Sequence, residues 1–212
     1  MSEAVKRTYS SQLRSAQARE TRRAIVAAAS RLFVESGYGA TTTEAIAEAA
    51  GVSRKTVFTA AGGKADILRL AIEWAVAGDD EPTALVDRDV VRRLLAEADP
   101  VALLRGWAAV IADIDARTAR LLTALEAAAA SDADARELAD RFERQRLAGA
   151  RRVVDRLSAL GALGLSRRDA VDLAWLSTDP VLYHRLVHTR GWSARRFEKW
   201  LAETLCRQLL GG

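Results

Sequence analysis

The sequence predicts an all-α fold, and three observations support that prediction. Only three prolines interrupt the 212 residues. Long stretches are built from alanine, leucine, arginine and glutamate, which are among the stronger helix formers. Apolar residues recur at spacings of three and four, the period of one face of a helix. Half of the residues are hydrophobic, so a chain of this length can bury a core in one or two domains.

The N-terminal part begins with a predicted flexible basic arm over residues 1–18. Helix one is predicted over about residues 19–36, because apolar residues follow helical spacing there and glycines come directly after it. Those apolar residues are Ile25, Ala28, Ala29, Leu32 and Phe33. Thr41 or Thr42 can then cap a short second helix.

A tight turn separates the second helix from a third. Gly51 stands where the chain must reverse, a position that often needs positive φ, and Ser53 can cap the helix that follows. In a helix-turn-helix the second helix of the pair enters the major groove of DNA, and its first residues meet base edges. The candidates for base contact are the polar residues that open helix three: Ser53, Arg54, Lys55, Thr56 and Thr59.

A fourth helix, predicted over about residues 64–78, joins this segment to the rest of the chain. The stretch 79–82 marks the boundary between a domain over residues 19–78 and a helical body over residues 79–212. Helices of the body are predicted at about residues 86–97, 100–114, 116–130, 133–160, 167–189 and 194–210. Pro180 is expected to kink or break the fifth of these.

Positive charge is concentrated at the N-terminal end. Residues 1–64 hold ten lysines and arginines against five acids, a net charge of +5, whereas the remaining residues hold 22 against 23. Basic tails are often only solvated. Here the excess lies where the helix-turn-helix lies, which favours an electrostatic surface for DNA phosphates.

These motifs together resemble the tetracycline-repressor (TetR-like) family of bacterial transcription regulators. The resemblance runs from about Arg19 to Leu68. The matching residues are Arg22, Ile25, Ala28, Ala29, Leu32 and Phe33; Gly37, Tyr38, Ala40, Thr41 and Thr42; Ile46, Ala47, Ala50, Gly51, Val52 and Ser53; and Lys64, Ile67 and Leu68.

The resemblance implies a regulator that binds a pseudo-palindromic, double-stranded operator as a homodimer in the bacterial cytoplasm. It also implies a three-helix DNA-binding head that helix four joins to a body for ligand binding and dimerisation. The chain departs from the family pattern after the recognition helix, where Phe58 and Ala60–Ala61 replace the usual Tyr and His-Phe pair. We therefore expect a looser reading head.

A second set of residues is expected to bind the DNA backbone. Lys64 aligns with a phosphate contact of the family at the start of helix four, and a helix N-terminus itself attracts phosphate. Phosphate contacts set the register of a protein on DNA rather than its sequence preference. The predicted set is Arg14, Arg19, Arg22, Thr42 and Lys64.

The last two long helices carry broad apolar faces. The resemblance implies that such helices pair with their symmetry mates, and two-fold dimers are the commonest assemblies. The alternative is that both faces belong to the core of one protomer. The predicted interface residues are Leu182, Leu186, Phe197, Trp200, Leu201 and Leu205.

The body could also hold a small apolar or aromatic ligand, since pockets are mostly apolar with a few placed polar groups. The candidate ligand contacts are Trp107, Phe142, Gln145 and Trp175. The alternative reading puts each tryptophan in the core and Gln145 at a satisfied edge. Asp115 and Glu126 are expected to be solvated.

Other functions find little support. The sequence has no Gly-rich phosphate loop, nucleophile elbow or Cys-x-x-Cys motif, so we expect neither an enzyme nor a cofactor. His184 and His188 would share a helix face, but zinc needs three or four ligands, so no metal is predicted. A secretory signal and a membrane span are also not predicted, because the first 20 residues are polar and no apolar run approaches the roughly 20 residues of a span.

Three hypotheses remain. The first is a repressor that a ligand releases from DNA, and the second is a DNA-binding regulator that senses no small molecule. The third is a helical enzyme or scaffold with a vestigial DNA-binding head. A sharp operator footprint would separate the first two from the third, and a ligand that weakens the footprint would separate the first from the second.

Overall fold

A computed structural model of the chain describes residues 3–81 and 85–210, with side chains from residue 15 onward. The described residues form α-helices and no strand. The helices are α1 (Glu3–Glu35), α2 (Gly37–Ala40), α3 (Thr43–Ala49), α4 (Arg54–Ala61), α5 (Lys64–Ala77), α6 (Asp89–Ala96), α7 (Pro100–Ala129), α8 (Ala133–Ala159), α9 (Arg167–Ser177), α10 (Pro180–Tyr183) and α11 (Ala194–Leu209). A 3₁₀ turn covers Leu85–Asp87, and a π-helical turn covers His184–Thr189.

The predicted helix-turn-helix is present as α3 and α4. The Thr42 hydroxyl accepts a hydrogen bond from the Ala45 amide at 3.1 Å and so caps α3. The Ser53 hydroxyl accepts from the Thr56 amide at 3.1 Å and caps α4 in the same way. Gly51 turns the chain between them with φ of +67°. Each helix therefore begins where its local sequence predicts, because the caps and the turn lie within four residues of the ends that they fix.

Two boundaries differ from the prediction. Helix α1 begins at Glu3 instead of about residue 19, so residues 3–18 of the predicted arm are helical. Helix α7 runs unbroken from Pro100 to Ala129, so the predicted separation of residues 100–114 from 116–130 is wrong. No proline or glycine stands between Gly106 and Ala129, and the aspartates in the middle of the run do not suffice to end a helix.

The head and the body share one hydrophobic core. Side chains of α1, α3, α4 and α5 form its head side, where Ile25, Phe33, Ile46, Val57 and Ile67 are fully buried. The same cluster continues into α7 and α8 through Leu121, Leu125, Leu138 and Phe142. The head that contains the helix-turn-helix is thus packed directly on one end of the body, through α7 and α8.

A second core fills the other end of the body. It is built from α7, α8, α9, α10 and α11, with Trp107 and Tyr183 among its buried members. Phe197, Leu201 and Leu205 of α11 are 0% exposed within a single protomer. Their prediction as interface residues is therefore wrong, because a side chain sealed inside its own protomer cannot contact a partner. Helix α11 turns its apolar stripe inward against α7.

The helix predicted over residues 167–189 is broken as Pro180 suggested. Helix α9 ends at Ser177, and the Asp179 carboxylate accepts from the Val181 amide at 2.8 Å to start α10. The chain then passes into the π-helical turn before α11. Within the described residues, no helix is both long and apolar enough to cross a membrane.

Candidate DNA-binding interface

The first turns of α4 present the predicted base-contacting residues at the surface. Ser53, Arg54, Lys55 and Thr59 are exposed, and Thr56 is half-buried. The hydroxyls already have partners within the helix: Ser53 and Thr56 lie 2.8 Å apart, and Thr59 donates to the Lys55 carbonyl at 2.7 Å. The two long cations therefore have the greater reach beyond the helix surface.

Arg54 is held in place by a neighbour of opposite charge. Its Nη1 lies 2.9 Å from Glu44 Oε1 on α3, and both side chains are exposed. Its guanidinium also lies 5.7 Å from the centroid of the Phe58 ring. An exposed ion pair is worth little in water, so a guanine or a phosphate can displace Glu44. The pair orients Arg54 without sequestering it.

The departure from the family pattern at the end of α4 produces a specific local structure. Phe58 is 48% exposed, while Ala61 is buried in the head core. Gly62 ends the helix with φ of +84°, and the Asp66 carboxylate accepts from the Gly63 amide at 3.0 Å. A Cβ on Gly62 would meet Asp66 Oδ2 at 2.6 Å. The turn into α5 therefore requires glycine at position 62. That this turn weakens the contact with DNA stays a prediction.

Three of the predicted backbone-binding residues make contacts within the head. Lys64 Nζ donates to the Tyr38 carbonyl at 3.0 Å and lies 4.1 Å from the centroid of the Tyr38 ring. Arg22 Nε donates to the Ala60 carbonyl at 2.5 Å. Thr42 acts as the cap of α3. These contacts hold α1, α2 and α5 around α4. Binding of the same three residues to DNA phosphates stays a prediction.

Arg19 is paired with the segment that leaves the head. Its Nε lies 2.6 Å from Asp80 Oδ2, and its Nη2 lies 2.5 Å from Glu81 Oε1. Arg23 joins the same carboxylate, with Nε 2.8 Å from Asp80 Oδ2. The two guanidinium groups hold the pKa of the Asp80 carboxyl well below its usual range. The side chain of Arg14 lies outside the described residues.

The four candidate ligand contacts are not brought together. Trp107 is buried in the second core and Phe142 in the core shared with the head. Gln145 is exposed on α8. Trp175 is half-buried, and its Nε1 donates to Glu143 Oε2 at 3.1 Å. A single apolar pocket lined by all four therefore does not exist in this arrangement.

Asp115 is the residue whose environment the sequence reading missed. It is 2% exposed, so the expectation of a solvated carboxylate is wrong. Burial raises the pKa of Asp115 to about 8, against the opposing effect of Arg146 and with a further rise from Asp179. Asp115 stands seven residues after Ala108 and four before Ala119, both of them buried. That helical spacing placed it on the inner face of α7 and was the signal available in the sequence.

Two further polar side chains in the body resemble Asp115 in having a buried atom without a hydrogen-bond partner. In the part of the chain that the structure describes, the buried side-chain atoms without a hydrogen-bond partner are Asp115 Oδ2, Arg146 Nε and His184 Nδ1. They come from α7, α8 and the π-helical turn. His184 and His188 lie with ring centroids 5.6 Å apart. Among the described residues, no three His, Cys, Asp or Glu side chains group closely enough to hold a metal ion.

Comparison with known sequences identifies the head. Residues 25–71 match the profile of a family described as bacterial regulatory proteins, tetR family. This segment is a TetR-family domain. It contains the whole helix-turn-helix and all of the candidates for base contact, whereas Arg14, Arg19 and Arg22 precede the TetR-family match. No curated protein matches the sequence significantly.

The TetR-like fold extends over nearly the whole chain. The fatty acid degradation regulator FadR from Bacillus halodurans aligns with a TM-score of 0.70 at 18% identity, over 87% of this chain and 94% of that chain. NalD from Pseudomonas aeruginosa, the secondary repressor of the MexAB-OprM multidrug efflux pump, aligns with a TM-score of 0.68 at 22% identity, over 92% and 98%. At these identities the likeness establishes the fold alone.

Proposed function

We propose that the protein is a sequence-specific transcription repressor that binds operator DNA as a homodimer and is released by a small molecule. The observation that carries the DNA-binding part is the first turn of α4, where Arg54 and Lys55 are exposed on a TetR-family recognition helix. Arginine and lysine at this position can donate to guanine in the major groove. The net positive charge of the N-terminal residues supplies the attraction to phosphates.

The experiment that tests DNA binding is selection of bound duplexes from a random pool. A two-fold symmetric motif with half-sites about one helical turn apart, about 34–36 Å, is expected for a dimer with two recognition helices. Recovery of unrelated sequences with equal affinity would contradict a sequence-specific regulator and favour a scaffold with a vestigial head.

Homodimerisation is supported by the apolar surface that α9 and α10 leave uncovered. Leu176 is 58% exposed, and Leu182, Leu186 and Trp200 are half-buried on the neighbouring elements. A large exposed apolar side chain with partly exposed apolar side chains on neighbouring elements favours an interaction surface. These outer residues, rather than the sealed stripe of α11, are the ones that we propose to meet a second copy.

Release by a ligand is supported by contacts that join the body to α5. Arg117 Nε on α7 donates to the Ala75 carbonyl at 2.6 Å, close to the C-terminal end of α5. Arg141 on α8 lies 3.2 Å from Glu73 on α5. A ligand that favours a different arrangement of α7 and α8 would therefore move α5 and with it the head. Such a ligand must bind the DNA-incompetent arrangement more tightly.

Repression rather than activation rests on the weaker support of structural likeness, since NalD is a repressor. A regulator without any inducer is the second candidate, and it is favoured by the dispersal of the four predicted ligand contacts. A reporter gene behind the selected operator separates the possibilities. Expression that rises when the gene for this protein is deleted is expected, and expression that falls would show activation.

A further inference from the structure

The unpartnered polar atoms of the body point to a binding site. The polar centre is defined as Asp115, Arg146 and His184, which come from three separate elements. Arg146 and Tyr183, the residue before His184, both lie close enough to Asp115 for their charges to interact. Buried polar groups are nearly always hydrogen-bonded, because leaving one unsatisfied carries the full penalty of removing it from water. A molecule that completes these hydrogen bonds would remove that penalty.

Carboxyl groups outnumber the cationic side chains around the polar centre. Asp179, from the turn before α10, acts on Asp115 and on the exposed Glu126, both from α7. Glu143 from α8 acts on Glu126 as well. The opposing cations are Arg146 and Arg185. Burial, followed by Asp179 and Glu143, raises the pKa of Glu126 as well. An anionic ligand would meet the carboxylates of Glu143 and Asp179, whereas a cation would be attracted by them and by Asp115 once that carboxyl loses its proton.

Arg146 is largely committed to neighbours already. Its Nη1 lies 2.5 Å from Glu143 Oε1, and its Nη2 donates to the Trp175 carbonyl at 3.1 Å. Only its Nε lacks a partner among the buried atoms. An anionic ligand would have to compete with Glu143 and the Trp175 carbonyl for the Arg146 guanidinium. Asp115 Oδ2, by contrast, accepts no hydrogen bond and is available to a donor.

The surroundings fit an organic cation with an aromatic part. Tyr183 is buried beside the polar centre, with its ring centroid 5.5 Å from His188 and 4.9 Å from Phe197. The Trp175 ring lies 5.7 Å from the Arg146 guanidinium, so it already faces one cation. Aromatic faces attract cations and apolar rings alike. The π-helical turn that carries His184 is a rare geometry, often found at functional sites.

We propose that the polar centre is the ligand site of the regulator and that it takes an arylalkyl amine, whose ammonium pairs with Asp115 while its ring packs among Tyr183 and Trp175. This inference rests on the proposed release by a small molecule and gives it a ligand class. It differs from the purely apolar pocket expected from the sequence.

The test uses three probes of one shape and different charge: 4-phenylbutylamine, 4-phenylbutanol and 4-phenylbutyrate. Binding to the full-length protein is followed by tryptophan fluorescence and by calorimetry at pH 7. The amine is expected to bind at least about tenfold more tightly than the alcohol, and the acid more weakly still. Asp115→Asn should abolish the preference for the amine. Asp140→Asn, which changes an exposed acid on α8, should retain it.

Proton exchange gives a second, independent measurement. The groups that face Asp115 are Arg146 from α8, Asp179 from the turn before α10 and Tyr183 from α10. Burial keeps the Asp115 carboxyl protonated at pH 7, so the ammonium must expel that proton when it binds. Calorimetry in buffers of different ionisation enthalpy should show release of about one proton, and Asp115→Asn should release none.

Several results would overturn this inference. They are equal binding of the three probes, no binding of the amine up to millimolar concentration, or amine binding that Asp115→Asn leaves unchanged. Operator binding measured on the same protein separates the two proposals. An operator complex released by a molecule of another class would leave the proposed function standing, while failure to select any operator would overturn the proposed function itself.

Discussion

The buried carboxyl of Asp115 makes the stability of the body depend on pH. Its pKa is about 8 in the fold, far above that of the unfolded chain, so the folded state holds a proton that the unfolded state has lost. The contribution of Asp115 to stability is therefore fully present below about pH 4 and is lost as the pH rises toward 8. The charged neighbours that set this pKa are Arg146 and Asp179.

Asp115→Asn removes this dependence, and the difference can be measured by urea unfolding at pH 5, 6, 7 and 8. Relative to the variant, the wild-type protein is expected to lose up to about 1.4 kcal/mol of unfolding free energy per pH unit. Parallel curves for the two proteins would show that Asp115 is hydrated in solution and that its burial has been overstated.

Single side chains of α4 are also predicted to set the affinity of the protein for its operator. Arg54→Ala and Lys55→Ala are each expected to reduce affinity for the selected operator by about 1–3 kcal/mol if the side chain contacts a base. Such variants should also relax the preference at one position of each half-site. Lys199→Ala, an exposed lysine of α11 paired with Glu203, is the matched control and should bind normally. Unchanged operator affinity in both α4 variants would refute the assignment.

At the scale of elements, the pairing of α1 with the segment after α5 is predicted to determine which arginines can reach DNA. Asp80 is 4% exposed in its side chain and holds both Arg19 and Arg23. Asp80→Asn removes the charge that attracts them. The variant is expected to bind all DNA more tightly, with a salt slope steeper by about 0.9 for each arginine that gains a phosphate. Asp79→Asn, which removes the charge that faces Arg88 instead, serves as the control.

A variant whose salt slope equals that of the wild-type protein would show that Arg19 is a structural residue. That result would remove Arg19 from the predicted backbone contacts and leave Lys64 and Arg22 to be tested. The sequence alone could not decide the point, because Arg19 and Asp80 lie far apart in the chain and meet only through the packing of α1 against the end of α5.

Local features were predicted from the sequence more successfully than features that depend on contacts between distant parts of the chain. The ends of α3, α4 and α5 follow from Thr42, Ser53 and Gly78, each of which acts on neighbours within a few residues. The course of α7 and the inward side of α11 depend on what packs against them. An apolar stripe reads alike whether it faces a core or a partner, so Leu201 was assigned to the wrong surface.

At the scale of the whole molecule, the outer apolar residues of α9 and α10 are expected to close a two-fold dimer. Leu176→Glu adds a charge to a side chain that is 58% exposed, so the protomer should stay folded. Sedimentation at micromolar concentration is expected to show a dimer for the wild-type protein and a monomer for this variant, which should lose cooperative operator binding. A wild-type protein that sediments as a monomer would contradict the interface.

We propose that transmission from a ligand to DNA passes through the contacts of Arg117. This side chain donates to the carbonyls of Ala75 and Val76 on α5 and pairs with Asp113 on its own helix. Arg117→Ala should leave operator affinity without ligand within about threefold of wild type, since the shared core still holds the head on the body. The ligand should then release DNA less well, because α7 can move without drawing α5 along.

The measurable quantity is the factor by which the ligand weakens operator binding, which is typically about 5–150-fold, or about 1–3 kcal/mol. In Arg117→Ala it should fall to less than about fivefold, whereas Arg105→Ala, an exposed arginine near the other end of α7, should keep it. Because binding energies are reciprocal, operator DNA must weaken ligand binding by the same factor in each protein. Ligand titrations with and without operator therefore check the result independently. Full coupling in the variant would place the route elsewhere, through the packing of Phe142 and Leu125 against the head.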